Sequence, residues 1–177
     1  MTRPRFALAR RRAVEALAKA SITAPPVAVE DVARTVGAAI RYEPFAGMLS
    51  GMAHRDADGQ AVIGVNSLHK TKRQRFTIAH EIGHLVLHLD DDFHIDERFP
   101  IGFRDEVSGL AVEPKEIEAN QFAAELLMPL EWLAKDIQQL RLDFESEEAL
   151  EELAERYGVS IQAMTIRLSS LGVLPRT

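Results

Sequence analysis

The run His80-Glu81-Ile82-Gly83-His84 constrains this chain more than any other stretch of it. Two histidines four residues apart on a helix lie about 40° apart on one face, where both can reach a single ion. Glu81 falls about 100° round from His80, beside such an ion rather than on it. That position suits a general base acting on a water molecule that the ion polarises. Thr77, His80, Glu81, His84 and His88 fill one sector of the helical wheel, and Ile78, Ile82, Leu85 and Leu89 fill the next. The segment from about 71 to 89 therefore reads as a helix buried on one side and presenting the motif on the other. Thr71 and Gln74 have the spacing of a capping box that would open it, and Gly83 leaves room beside the histidines.

The chain has 177 residues and no cysteine, so only His, Asp and Glu can hold a metal, and disulfides and thiol nucleophiles are excluded. Its length suits one compact domain, or one domain with a small appendage. A net charge of -6 argues against general nucleic-acid binding, which relies on Lys and Arg to neutralise phosphates. No stretch is apolar for long enough to span a bilayer. Arg3, Arg5, Arg10, Arg11 and Arg12 invite a signal-peptide reading, but Glu15 and Lys19 interrupt the apolar segment that should follow. Val14, Leu17 and Ala18 instead follow helical spacing, which implies a basic amphipathic helix over 5–20 and a cytoplasmic protein.

Pro25 and Pro26 break the chain, and a short helix then carries Val29, Val32, Ala33 and Val36, with Gly37 at its end. Three strands are expected: Ile40 to Tyr42, a run near 48–54, and Ala61 to Asn66. Asp58-Gly59 turns the last two into a hairpin. Residues 90–114 read as a long acidic loop or flap. Pro114 opens a second strong helix over about 115–128, and Pro129 starts another that runs to Leu140. Ser146 and Ser160 are expected to cap two final helices, over about 147–157 and 161–171.

Two motifs resemble signatures of the ImmA/IrrE family of metallopeptidases. One is Arg73-Gln74-Arg75-Phe76-Thr77-Ile78-Ala79-His80-Glu81-Ile82-Gly83-His84-Leu85. The other is Glu116-Ile117-Glu118-Ala119-Asn120-Gln121-Phe122-Ala123-Ala124-Glu125-Leu126-Leu127-Met128-Pro129. The segments 26–33 and Ile63 to Asn66 are also similar, so the likeness spans about residues 10–174. It implies an α+β fold: a mainly helical, zincin-like metallopeptidase with a small mixed or antiparallel sheet and a C-terminal helix-turn-helix-like helical part. The division falls at residues 1–142 and 143–177.

The resemblance also implies Zn²⁺ held by His80, His84 and Glu118, with Glu81 as the catalytic residue. Mn²⁺ can share such ligands. Helical geometry is compatible with Glu118, because Ala119, Ala123 and Leu126 form an apolar face beside it and Glu116 is about 160° away. Glu125 competes for the role, although its place along the helix suits a partner for a ligand histidine. His88 lies about 12 Å along the axis from His80, too far to share the ion, and is a candidate for contacting substrate. Tyr42, Arg73, His88 and His94 are candidates for assisting an oxyanion. The substrate that the resemblance implies is a helix-turn-helix transcriptional repressor whose cleavage switches on stress or mobile-element genes.

Asp90 to Asp92, His94, Asp96 and Glu97 read as a solvated acidic loop rather than a second cation site. The stretch Leu153 to Met164 looks like a helix-turn-helix, but residues 161–171 contain one basic residue, Arg167, and the preceding segment is acidic. A structural or protein-docking role is therefore expected, without DNA binding. The rival functions are a DNA-binding or partner-binding regulator on a non-proteolytic metal domain. Salt-dependent DNA affinity distinguishes the first, and the intact His80, His84 and Glu81 weigh against the second.

Overall fold

The computed structural model describes residues 3–47, 49–56, 58–88, 93–96, 113–140 and 147–175. The acidic residues 90–92 and Glu97, the side chains of His94 and Asp96, and the expected cap Ser146 lie outside that description. The architecture is α+β, with a small mixed sheet among seven helices of the described residues.

Helix α1 (Phe6–Lys19) buries Ala9, Ala13, Ala16 and Leu17, whereas Val14 is exposed. The expected helix is present, but the face it buries is the alanine stripe, whose small side chains let it pack closely on a later helix. Helix α2 (Val29–Thr35) buries Val29, Val32 and Ala33, and Gly37 follows it at φ 81°, a left-handed conformation that glycine adopts without strain.

Strands β1 (Ala38–Glu43), β2 (Gly51–Arg55), β3 (Ala61–Asn66) and β4 (Phe93–Asp96) form one sheet in the order β1-β3-β2-β4. β1 runs parallel to β3, with Ala38 opposite Ala61. β2 is antiparallel to β3, with Gly51 opposite Val65, and β2 also pairs antiparallel with β4. The β2–β3 connection is the expected hairpin. The Asp56 carboxylate accepts from the amides of Asp58 and Gln60 at 3.0 and 2.9 Å, which locks the turn. β4 falls inside the segment expected to be all loop. Its pairing partner lies about forty residues away, so nothing in its local pattern announces it. β3 is central, and all six of its residues are buried.

Helix α3 (Thr71–Leu87) packs against β2 and β3 on one flank and a helix from the second motif on the other. Its burial is therefore wider than a single stripe, because Thr77 through His84 are all buried. The capping box does not form. Lys70 is the N-cap, Thr71 is already helical, and the Gln74 amide donates to the Asn66 carbonyl at 3.1 Å. The Asn66 side chain also holds the preceding loop, donating to Leu49 O at 2.8 Å and accepting from the Leu68 amide at 3.0 Å.

Helix α4 (Pro114–Leu127) begins at Pro114, where the missing amide costs nothing. It crosses α3 at Gly83. A Cβ there would stand 3.1 Å from Ala119 Cα and 3.2 Å from Phe122 Cδ1, so glycine is what allows the close approach. α1 packs along α4.

Helices α5 (Leu130–Leu140), α6 (Glu147–Tyr157) and α7 (Ile161–Ser170) complete the chain. Ser160 caps α7 by accepting from the Ala163 amide at 3.1 Å. Leu153, Tyr157, Met164 and Leu168 join the same hydrophobic cluster as Ile78, Ile82 and Leu126. Asp136 accepts from the Tyr157 hydroxyl at 2.8 Å and from Arg156 at 2.8 and 3.0 Å, tying α5 to α6. No helix among the described residues is long and apolar enough to cross a membrane.

Candidate metal centre

One helical turn on α3 stacks the two histidines, whose Nε2 atoms are 3.0 Å apart. Both rings are buried, with His80 1% and His84 3% exposed. The carboxylate that meets them belongs to Glu116 in the first turn of α4. Its oxygens lie 3.2 Å from His84 Nε2 and 3.4 Å from His80 Nε2. Among the described residues, His80, His84 and Glu116 form a group whose ligand atoms converge as a metal ion requires. Zinc–ligand bonds of about 2.0–2.1 Å in a tetrahedron put ligand atoms roughly 3.3 Å apart, close to the separations seen here. The donor set of two imidazoles and a carboxylate fits a divalent metal.

The surroundings reinforce that fit. Asn120, one turn after Glu116, sits with Oδ1 3.1 Å from His80 Nδ1. An Nδ1–H donated to that oxygen fixes the ring and leaves Nε2 to face the centre. Burial tends to raise the Glu116 pKa, but the hydrogen bonds and charges of His80 and His84 outweigh it and hold the carboxyl well below its ordinary range. Glu116 therefore presents a carboxylate at neutral pH. Glu81 is fully buried beside the pair, under the start of β2. A Cβ on Gly51 would come within 3.3 Å of Glu81 Oε1 and 2.4 Å of Thr77 Cγ2, so only glycine lets the strand pass this close.

The group that converges at His80 and His84 does not include Glu118. The Glu118 carboxylate accepts from Arg5, with the backbone amide at 2.7 Å, Nε at 3.0 Å and Nη2 at 2.8 Å. Those bonds hold Glu118 below its ordinary pKa. The difference in placement has a geometric cause. Glu116, Ala119, Asn120 and Ala123 form an i, i+3, i+4, i+7 stripe toward α3, whereas Glu118 lies about 160° round the helix from Glu116. Glu125 is likewise not beside a ligand histidine. It accepts from Arg167 of α7 and from the Leu130 amide at 3.2 Å. Arg167 also donates to Met128 O at 3.1 Å and is 2% exposed.

His88 caps the end of α3, with Nε2 3.3 Å from Lys115 O, and burial lowers its pKa. Tyr42 bonds Glu30 at 3.1 Å and Arg73 bonds Ser50 Oγ at 2.7 Å, so both are engaged in the scaffold. Sequence reasoning missed Glu116, Asn120 and Gly51. The i, i+4 pair Glu116/Asn120 was the available signal, a carboxylate and an amide aligned with the small residues that must touch α3.

An HExxH pair on one helix, met by a carboxylate from the next, defines a metallopeptidase-type centre. The chain belongs to the ImmA/IrrE family: the model of the IrrE N-terminal-like domain matches residues 33–169. It is 36% identical over 115 residues to the Radiation response metalloprotease IrrE of Deinococcus radiodurans, covering 64% of this chain and 32% of that protein. The protein of the same description from Deinococcus deserti is 43% identical over 100 residues, covering 56% and 32%. The chain thus spans about a third of the length of these curated relatives. A Mycobacterium tuberculosis transcriptional regulator shares the fold, with a TM-score of 0.58 and 21% identity, over 97% of this chain and 48% of that one.

Proposed function

We propose that this chain is a zinc-dependent endopeptidase that cuts a protein regulator, with His80, His84 and Glu116 holding the metal and Glu81 moving the proton. The observation that carries this reading is the convergence of the three ligand side chains at 3.0–3.4 Å. The metal, when bound, supplies Lewis-acid polarisation of the scissile carbonyl and of the attacking water. Glu81 takes a proton from that water as it attacks the peptide carbon, then delivers it to the departing amine. Gly51 keeps the strand close over the Glu81 carboxylate, and Asn120 orients His80.

A cytoplasmic helix-turn-helix repressor is the substrate class in this proposal, following the family. Burial of Arg167 supports the absence of DNA binding, because the basic residue of the would-be recognition helix is committed to Glu125. The test is to incubate the purified chain with the repressor encoded beside it, with and without a chelator. The expected result is cleavage that stops with chelator and falls by a factor of at least about 10² in Glu81→Gln, at unchanged metal content. Cleavage at the wild-type rate in Glu81→Gln contradicts the assignment.

A further inference from the structure

Three side chains around the candidate centre do no chemistry in this account, yet all bear on the first turn of α4. His88, one turn past His84, reaches the carbonyl of Lys115, the residue before Glu116, at 3.3 Å. Its Nε2 also lies 3.7 Å from Glu118 Oε2, and both side chains are buried, at 3% and 4% exposure. Arg5 grips the same Glu118 carboxylate from outside through its backbone amide and its guanidinium. A charge-assisted bond of this fork type is stronger and more directional than a neutral one. Lys115 and Glu118 flank Glu116 in sequence, so the backbone that carries Glu116 is held on both sides. Arg5 lies outside the matched family residues 33–169 and Glu118 lies inside them.

We propose that Arg5, Glu118 and His88 are positioning residues that fix the first turn of α4, so that the Glu116 carboxylate stands in register with His80 and His84. The proposal rests on the reading of Glu116 as a metal ligand. A helix start is where backbone order is weakest, because its amides lack intrahelical partners. The N-cap residue Glu113 makes no side-chain cap bond. The Arg5–Glu118–His88 set does that work through tertiary contacts. A ligand displaced by a fraction of an ångström binds a metal less tightly, and loss of partners around a metal site typically costs about 10–100-fold in affinity.

The experiment is a competition titration of Zn²⁺ against a chromophoric chelator, with the thermal midpoint of the metal-free protein measured alongside. Wild type, Arg5→Ala, Glu118→Gln and Glu116→Ala are compared, together with the double variant Glu116→Ala/Glu118→Gln. Arg5 is half exposed, at 53%, so Arg5→Ala tests the idea even if Glu118→Gln does not fold. The expected result is a dissociation constant raised about tenfold in Arg5→Ala and Glu118→Gln. In the Glu116→Ala background Glu118→Gln should add nothing, because positioning acts through Glu116. Wild-type affinity in Arg5→Ala and Glu118→Gln, with affinity lost in Glu116→Ala, overturns the positioning role alone. An equal loss from Glu118→Gln in both backgrounds also overturns it, by making Glu118 act directly. Equal affinity in wild type and Glu116→Ala overturns the site reading and this proposal together. A purely structural role for the set lowers the thermal midpoint and leaves zinc affinity unchanged, which likewise overturns it.

Discussion

The first and last turns of α4 place the same side chain in opposite settings. At the first turn, Glu116 faces two imidazoles, with its side chain 28% exposed. At the last, Glu125 is 7% exposed and closed against Arg167, whose burial lowers its own pKa from the usual value even though Glu125 pulls it back up. A carboxylate that already owns a buried guanidinium cannot accept a metal without breaking that pair. Glu116 instead presents its carboxylate to the two imidazoles, at 3.2 and 3.4 Å. Glu118 falls on the Glu125 side of this division, because Arg5 holds it. The three glutamates thus differ in the partner each already has: the imidazoles for Glu116, Arg5 for Glu118 and Arg167 for Glu125.

Breaking each carboxylate in metal-stripped protein gives the largest contrast. Glu125→Ala leaves Arg167 buried without its partner and costs about 3–5 kcal/mol. Glu116→Ala costs less than that, because its side chain is 28% exposed and solvent screens its contacts with the imidazoles. Urea denaturation in the presence of chelator measures both. Replacing Glu125 and Arg167 together with leucine and methionine should recover most of the loss, since apolar pairs of similar volume often match a buried ion pair. Equal losses for Glu116→Ala and Glu125→Ala would erase the distinction between the two ends.

A smaller effect sharpens the picture of the structural half. Tyr157 is fully buried, and burial first, then its bond to Asp136, pushes its pKa well above the ordinary value. The folded form therefore keeps its proton after the unfolded chain has lost it. The corresponding stability is complete below about pH 10 and is lost as pH rises beyond it. Tyr42, the other tyrosine, is pushed up to about 12 by burial and by Glu30, and acts with the same sign. Denaturation between pH 8 and 11 should show a shallower alkaline decline in Tyr157→Phe than in wild type, with the Tyr42 share remaining. An unchanged alkaline slope would remove Tyr157 from the account.

Much of this molecule was legible in the sequence because its signals are local. The HExxH spacing, the Pro114 helix start, the Ser160 cap and the Asp58-Gly59 hairpin turn each depend on residues a few positions apart. What was not legible depends on distant partners. β4 forms only because β2 offers it an edge. The buried face of α1 is chosen by α4, whose closeness selects alanines over Val14. The settings of Glu116 and Glu118 go with Gly83 and Arg5, one admitting α4 and the other engaging Glu118. Helical spacing sets Glu116 and Glu118 about 160° apart on α4. It could not say which of them faced α3.

The central claim is that the metal is held where His80, His84 and Glu116 converge. Anomalous diffraction at the zinc edge, from crystals of the zinc-loaded protein, tests it most directly. The account predicts one peak per chain, about 2.0–2.2 Å from His80 Nε2, His84 Nε2 and a Glu116 oxygen, with Glu118 still bound to Arg5. A peak coordinated by Glu118, with Arg5 displaced and Glu116 turned away, would contradict it.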